Sequence, residues 1–269
     1  MKLLTSLIIT LGFAAPLLAQ TSTPSIEAQV KHELNEAARM FRAGDFAQAQ
    51  VHSERALQLD PQNRTAPMFV ARTIHAQYKP AVETPENIAK AREAIIAYQR
   101  ILNRVPNDDE AYKAIAYLYG VIKEEELLRD WLLQRATNVS MPNDKRAEAF
   151  VVLASKDWDC SFRITEQPSV KNTTVHQKRA NVRYRMPNDR SEFHKATECA
   201  NRALDMVNMA ITLTPENESA WAYKTNIVLE LSKLAEMAGD VQQKQNLLRQ
   251  YEEALNETTR LTKLSQPKP

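Results

Sequence analysis

The sequence predicts an all-α protein built from successive pairs of helices, and three observations carry that prediction. Apolar residues recur at helical spacing, as in the stripe of Tyr112, Ile115 and Tyr119. Proline followed by a polar residue and then Asn or Asp ends one helical stretch and begins the next, at residues 61–63, 106–108, 142–144, 187–189 and 215–217. The chain also has only four glycines in 269 residues, which argues against β-rich folds and phosphate-binding loops.

The N-terminal segment has the pattern of a secretory signal peptide. Lys2 precedes an apolar run from Leu3 to Leu18, and we expect cleavage after Ala19. Residues 1–19 would be the signal peptide and residues 20–27 a flexible polar leader; an uncleaved N-terminal anchor is the alternative. No later segment is apolar enough to span a membrane, so we expect a periplasmic or secreted protein without stable membrane insertion after cleavage.

Export places the two cysteines, Cys160 and Cys199, in an oxidising compartment. Two cysteines with no others in the chain often pair there, and we predict a disulfide between them. The alternative is a pair of buried thiols that act as small apolar side chains.

The second helix of three predicted pairs carries a repeated spacing that begins at an alanine and ends at a proline. It runs from Ala49 to Pro61, from Ala94 to Pro106 and from Ala203 to Pro215. A first-helix spacing appears in Tyr112, Ile115, Ala116 and Tyr119. These spacings resemble the signature of the tetratricopeptide-repeat (TPR) family.

The resemblance implies an α-solenoid over residues 28–262, followed by a short tail at 263–269. Its five helix-turn-helix units would lie at about 28–61, 64–106, 108–142, 144–215 and 217–262. The fourth unit would be interrupted by one long insertion at 160–189.

The insertion is rich in basic residues, with Lys178, Arg179, Arg183 and Arg185 as the candidate contact residues. One interpretation is a loop that contacts an acidic or anionic partner. The other is a solvated excursion whose aromatic residues pack back on the helices.

In TPR proteins the first helix of each pair lines a concave surface that receives a peptide or a partner helix, and the resemblance extends this role to the present chain. The residues that would line it are Glu110, Lys113, Tyr117, Glu148 and Ser155. Their charges are mixed, so the resemblance does not imply recognition of a C-terminal carboxylate by a basic row. Each residue on its own is also compatible with ordinary solvated surface.

The sequence offers no pattern for catalysis, a cofactor or a metal. Its five histidines have no metal-ligand spacing, and it contains no Walker loop, nucleophile elbow or dinucleotide fingerprint. The net charge of +2 does not indicate a nucleic-acid partner.

The sequence therefore leads to the hypothesis of an exported, non-catalytic TPR adaptor or scaffold that binds a protein or peptide in the cell envelope. Two other hypotheses remain. One is an enzyme or ligand-binding protein on a solenoid with residues 160–189 as a lid, and the other is a structural module that self-associates through its end repeats.

Overall fold

The computed structural model describes residues 24–176 and 179–265. Within that part the chain forms ten α-helices and one two-stranded β-hairpin, which confirms the predicted all-α class. The helices are α1 (Ile26–Arg42), α2 (Phe46–Leu59), α3 (Ala66–Gln77), α4 (Pro85–Arg104), α5 (Asp109–Val121), α6 (Glu125–Thr137), α7 (Asn143–Thr165), α8 (Arg190–Leu213), α9 (Glu218–Met237) and α10 (Val241–Ser265). The strands are β1 (Lys171–His176) and β2 (Arg179–Tyr184). The predicted signal peptide (1–19) and Lys178 lie outside the described residues.

The chain divides into two compact units at Tyr78 and Lys79. The first unit contains α1 to α3, and the second contains α4 to α10 with the hairpin. The helices follow the order of the five predicted pairs, and the boundary between the units falls within the second pair, between α3 and α4.

The polar residues of the proline-containing segments begin the helices as the sequence predicts, with one exception. Asp108, Asp189 and Asn217 each accept a hydrogen bond from a backbone N–H two or three residues ahead, at 2.8–2.9 Å. The exception is α7, which begins at Asn143 with Pro142 in the capping position and no side-chain cap. Asn63 also accepts hydrogen bonds from the backbone N–H groups that open α3. Side chains of these segments therefore cap four of the five predicted helix starts.

In the first unit, α1 and α2 form a hairpin closed by a turn at residues 43–45. Gly44 adopts φ +80°, a left-handed conformation that strains other residues. Ser25 caps α1 by accepting a bond from the backbone of Ala28, so this helix begins at Ile26, two residues before the predicted start of the repeats. The buried contacts of α2 with its neighbours include small side chains, among them Ala49 and Ala56.

The core of the second unit lies among α7, α8 and α9, which pack on one another. Its buried side chains are mostly small or β-branched, and Leu153, Val207, Ile227 and Val228 are at most 1% exposed. Small side chains on a packed face allow helix axes to approach closely. The buried alanines of this core are Ala147, Ala149, Ala154, Ala196, Ala200, Ala203, Ala210, Ala220 and Ala235.

The insertion is shorter than the predicted 160–189, because α7 continues to Thr165. Ser161 and Thr165 on the last turns of α7 donate hydrogen bonds to the buried carboxylate of Glu230 in α9, so these turns belong to the helix packing. The segment between the helices therefore spans 166–189. α10 likewise extends to Ser265, past the predicted start of the tail, where Ser265 donates to Glu218.

The insertion folds into an antiparallel β-hairpin that the sequence analysis did not predict. The strands pair from Lys171 opposite Tyr184 to His176 opposite Arg179. Each strand has only six residues, and polar residues stand on both faces, as at the pair of Asn172 and Arg183 and the pair of Thr173 and Val182. The strand β1 lacks the alternation of apolar and polar residues by which a sequence indicates a strand, whereas β2 alternates polar and apolar residues from Arg179 to Tyr184, a signal that the sequence analysis missed.

Cys160 and Cys199 form a disulfide that joins α7 to α8, with their Cα atoms 6.0 Å apart. The bond lies between two packed helices, and Cys199 is 2% exposed. It closes a loop with a sequence separation of 39 residues that includes the whole hairpin.

Replacing both cysteines with alanine should lower the free energy of unfolding by about 3–4 kcal/mol, because the unfolded chain regains the entropy of the open loop. The measurement is urea denaturation of the oxidised wild type and of the double variant. The wild type under a thiol reductant is the control and should match the variant. A difference below about 1 kcal/mol would contradict the stabilising role of the bond.

Candidate functional site

Four of the five predicted groove residues lie on one surface formed by α5 and α7. We call Glu110, Lys113, Tyr117 and Glu148 the α5–α7 surface. Lys113 Nζ lies 2.8 Å from Glu148 Oε1, so an ion pair links the two helices at this point. Tyr117 is 49% exposed. The hydroxyl of Ser155, the fifth predicted residue, donates to the backbone carbonyl of Val152 within α7 at 2.8 Å.

Asp109, at the start of α5, is the centre of the charges beneath this surface. Its carboxylate lies 2.6 Å from Arg135 Nη2, 2.9 Å from Lys145 Nζ and 3.1 Å from Lys113 Nζ. Burial raises the pKa of Asp109, but the hydrogen bonds from the three cationic groups outweigh it and hold the pKa well below its usual range. The ion pairs therefore fix the positions of side chains from α5, α6 and α7.

Aromatic contacts also hold Arg135 in place. Its guanidinium carbon lies 3.9 Å from the centre of the Tyr112 ring, and Tyr112 stacks on Trp131 at a centroid distance of 5.4 Å. The indole N–H of Trp131 donates to the backbone carbonyl of Tyr112 at 3.3 Å. The α5–α7 surface thus offers charges in fixed positions beside the exposed ring of Tyr117. These groups can bind a polar segment of a partner.

A separate cleft of about 310 Å³ lies among α6, α7 and α8. Asp157, 4% exposed, accepts hydrogen bonds from Arg129 at 3.1 and 3.2 Å and from Arg202 at 3.2 and 3.3 Å. Cys160 also lines the cleft, whereas none of the described residues between 166 and 189 does. The buried carboxylate is matched by two guanidinium groups, which is the arrangement that a buried charge needs for stability.

The predicted basic residues of the insertion differ in what the structure describes. Arg183 and Arg185 are exposed at the end of β2. Arg179 begins β2 opposite His176, and only its place in the strand is described. Lys178 lies outside the described residues. Two exposed arginines therefore remain as described contacts for an acidic group.

The base of the hairpin is fixed to α7 and α9 by a buried network of charges. Lys233 Nζ lies 2.7 Å from Glu230 Oε2 and 2.9 Å from Glu166 Oε1. Lys171 of β1 also pairs with Glu166, and the hydroxyl of Tyr184 donates to Glu166 at 3.3 Å. Burial lowers the pKa of Lys233, but the negative charge of Glu230 and the hydrogen bonds outweigh it and raise that pKa.

The rings of Phe162 and Tyr184 lie 4.8 and 5.2 Å from Lys233 Nζ. Trp158 packs on Phe162 at a centroid distance of 4.8 Å and on Tyr223 at 6.3 Å. The aromatic residues of this region pack on the helices, as one of the two interpretations of the insertion expected for its aromatic side chains.

Sequence reasoning missed Asp109, Arg135 and Lys233, because the partners of each come from helices distant in the chain. In the described ranges 24–176 and 179–265, no group of three His, Cys, Asp or Glu residues could hold a metal ion. No described helix combines the length and the apolar composition required to cross a membrane.

Comparisons with known proteins found similar solved structures at low sequence identity. No protein-family model matches the chain. No curated protein matches it either. A crystal structure of MamA is 14% identical, with 90% of this chain and 98% of that chain covered and a TM-score of 0.44.

MamA from Desulfovibrio magneticus is 12% identical, with 84% and 96% covered and a TM-score of 0.40. A tetratricopeptide-repeat protein from Parabacteroides merdae is 13% identical, with 89% and 94% covered and a TM-score of 0.37.

Replacing Asp109 with asparagine should flatten the dependence of stability on pH. The folded-state pKa of Asp109 is depressed, so its stabilising contribution is present above the unfolded pKa of about 4 and is lost as pH falls toward the folded value. We expect a loss of about 1–2 kcal/mol at about pH 7 and a smaller loss at about pH 3. Urea denaturation at both pH values measures it.

The matched control for Asp109 is Asp205→Asn, at an exposed position of α8. It should leave the free energy of unfolding within about 0.5 kcal/mol of the wild type at both pH values. An Asp109→Asn variant that is equally destabilised at both pH values would contradict the account of Asp109.

Replacing Lys233 with methionine should destabilise the second unit by about 3–5 kcal/mol, because it leaves the buried carboxylate of Glu230 without a counter-charge. Adding Glu230→Gln should recover most of that loss. Chemical denaturation of both variants measures the effect. A double variant as unstable as the single one would show that unpaired charge is not the cause.

Proposed function

We propose that the chain is an exported, non-catalytic scaffold of the cell envelope that binds a protein or peptide partner on the α5–α7 surface. The observation that carries the proposal is the ion pair between Lys113 and Glu148, which joins two first helices beside the exposed ring of Tyr117. A row of first helices linked in this way is the arrangement on which an extended segment or a helix can lie.

The chemistry of the α5–α7 surface suits a polar segment that contains both charges. Lys113 can share its charge with a partner carboxylate, and Glu110 and Glu148 can accept from lysine or arginine. Because Asp109 and Arg135 hold the surrounding side chains, binding orders fewer groups than it would on a mobile surface. Tyr117 adds a ring with a polar end, a residue type enriched in interfaces.

Export of the chain is supported by its N-terminal sequence. Lys2 and the apolar run from Leu3 to Leu18 have the form of a signal peptide. The bond between Cys160 and Cys199 is of a kind that persists in oxidising compartments such as the periplasm.

The hairpin supplies a second contact in this proposal. Arg183 and Arg185 are exposed on a segment whose base is held by Glu166 and Lys233. A lid would have to move over a cavity, and no hairpin residue that the structure describes stands in the wall of the cleft of about 310 Å³. We therefore favour a fixed arm that meets an acidic part of the partner over the lid of the alternative hypothesis.

The test is quantitative capture of partners from an envelope extract with the mature protein and two variants. The double variant Lys113→Glu and Tyr117→Ala should reduce the captured partner by at least about tenfold, because it reverses one charge and removes the ring. Leu255→Ala, at an exposed position of α10, is the matched control and should retain the partner. Full capture by the double variant would refute a role for the α5–α7 surface.

A second variant tests the hairpin arm without disturbing its base. Replacing Arg183 and Arg185 with glutamine removes the two exposed charges of the arm and keeps Glu166, Lys171 and Tyr184, which hold its base. This variant should weaken capture by less than the double surface variant does. The capture that remains should be less sensitive to salt than capture by the wild type, because two exposed charge contacts are gone. Unchanged capture at all salt concentrations would remove the arm from the proposal.

A further inference from the structure

A small cavity lies beside Tyr112 and Arg135, next to the charges around Asp109. Its volume is about 200 Å³, and its walls come from α4, α5, α6 and the segments that follow α4 and α6. Apolar and aromatic groups form much of the wall, with three amide side chains and one arginine. The lining residues are Leu102, Asn103, Pro106, Tyr112, Trp131, Gln134, Arg135, Asn138 and Met141.

Two residues that line the cavity each carry a buried polar atom without a hydrogen-bond partner, and these are the only such side-chain atoms in the part of the chain that the structure describes. They are the hydroxyl of Tyr112 and Nε of Arg135, a residue that is 5% exposed. A buried polar group left without a partner costs about 1–3 kcal/mol. Both groups belong to side chains that contact each other, since the guanidinium lies 3.9 Å from the ring centre.

Both unpartnered groups are hydrogen-bond donors. Arginine remains protonated in proteins, and its Nε can only donate. Burial raises the pKa of Tyr112, so its hydroxyl keeps its proton and can donate as well. The missing partner is therefore an acceptor.

A neutral acceptor fits this wall better than a carboxylate does. The charge of Arg135 is already matched by Asp109 at 2.6 Å, and a second carboxylate beside the same guanidinium would be repelled by Asp109. The amide oxygens of Asn103, Gln134 and Asn138, which also line the cavity, can accept from a donor on the same ligand. An amide group supplies both an acceptor and donors.

We propose that this cavity receives the side-chain amide of a glutamine or asparagine from the partner segment, and the proposal rests on the proposed function. The volume is below the roughly 300–1,000 Å³ of sites for whole small molecules, which favours a single side chain. Asp109 connects the two sites, because it contacts both Lys113 of the α5–α7 surface and Arg135 of the cavity. Occupation requires a shift of the wall, since the two donor atoms are buried.

The test uses the indole N–H signals of the three tryptophans in proton–nitrogen correlation spectra of the mature protein. Trp131 lines the cavity, whereas Trp158 and Trp221 do not. The probe is capped glutamine, with capped methionine and capped glutamate as comparisons of similar length. We expect glutamine to shift the Trp131 signal with saturation at millimolar concentration, and methionine and glutamate to bind at least about fivefold more weakly.

Tyr112→Phe removes one donor and keeps the ring. It should weaken binding of capped glutamine at least about fivefold. It should not lower the melting temperature, because the hydroxyl has no partner to lose. Tyr184→Phe is the matched control: it should lower the melting temperature, because its hydroxyl donates to Glu166, and it should leave binding unchanged.

Three results would overturn the inference. The first is an unshifted Trp131 signal, and the second is equal binding of capped methionine or glutamate. The third is a Tyr112→Phe variant with a lowered melting temperature and unchanged binding, which would assign the hydroxyl to an ordered water. Each can occur while the variant Lys113→Glu and Tyr117→Ala still loses the partner, so failure of this inference is distinguishable from failure of the proposed function.

Discussion

Close packing of α7 against α8 and α9 is the constraint on which the second unit depends. The contact faces carry alanines that are fully or almost fully buried, such as Ala154, Ala203 and Ala220. A larger side chain at these positions would separate the helices, because a packed interior has no space for added groups. The same close approach brings Cys160 within bonding distance of Cys199 and places Glu230 against the end of α7.

The position of the hairpin follows from this packing. Glu230 and Lys233 are both buried, and each finds its hydrogen-bond partners within α7, α9 and the hairpin segment. A buried ion pair adds little net stability over an apolar replacement, whereas the loss of one partner is costly. The network therefore specifies where the base of the hairpin lies more than it strengthens the fold. The exposed residues Arg183 and Arg185 lie on either side of Tyr184, which belongs to this base.

Local features of the fold could be predicted from the sequence, because local chemistry decides them. Asp108 and Asn217 begin helices through their own side chains, and Gly44 occupies a turn with positive φ. The assignment of Lys113 and Glu148 to the first helices of successive units followed from a resemblance to a known repeat. Neither step needed contacts between distant residues.

What the sequence could not supply depends on contacts over long separations. Asp109 pairs with Lys113 on its own helix, but its other partners lie 26 and 36 residues away, in α6 and α7, and those of Lys233 include Glu166, 67 residues away. No spacing in the sequence indicates which charges will meet across three helices. The last turns of α7 were assigned to the insertion for the same reason. Their packing depends on hydrogen bonds from Ser161 and Thr165 to Glu230, a residue of α9 that is distant in the sequence.

The central claim is that a partner binds on the α5–α7 surface, and site-specific photo-crosslinking tests it most directly. A photoreactive phenylalanine would replace Tyr117 in one protein and Leu255 in another, both exposed in the second unit. The account predicts a crosslinked partner from position 117 that is lost when Lys113→Glu is added, and none from position 255. Equal crosslinking at both positions, or a crosslink at 117 that survives Lys113→Glu undiminished, would contradict it.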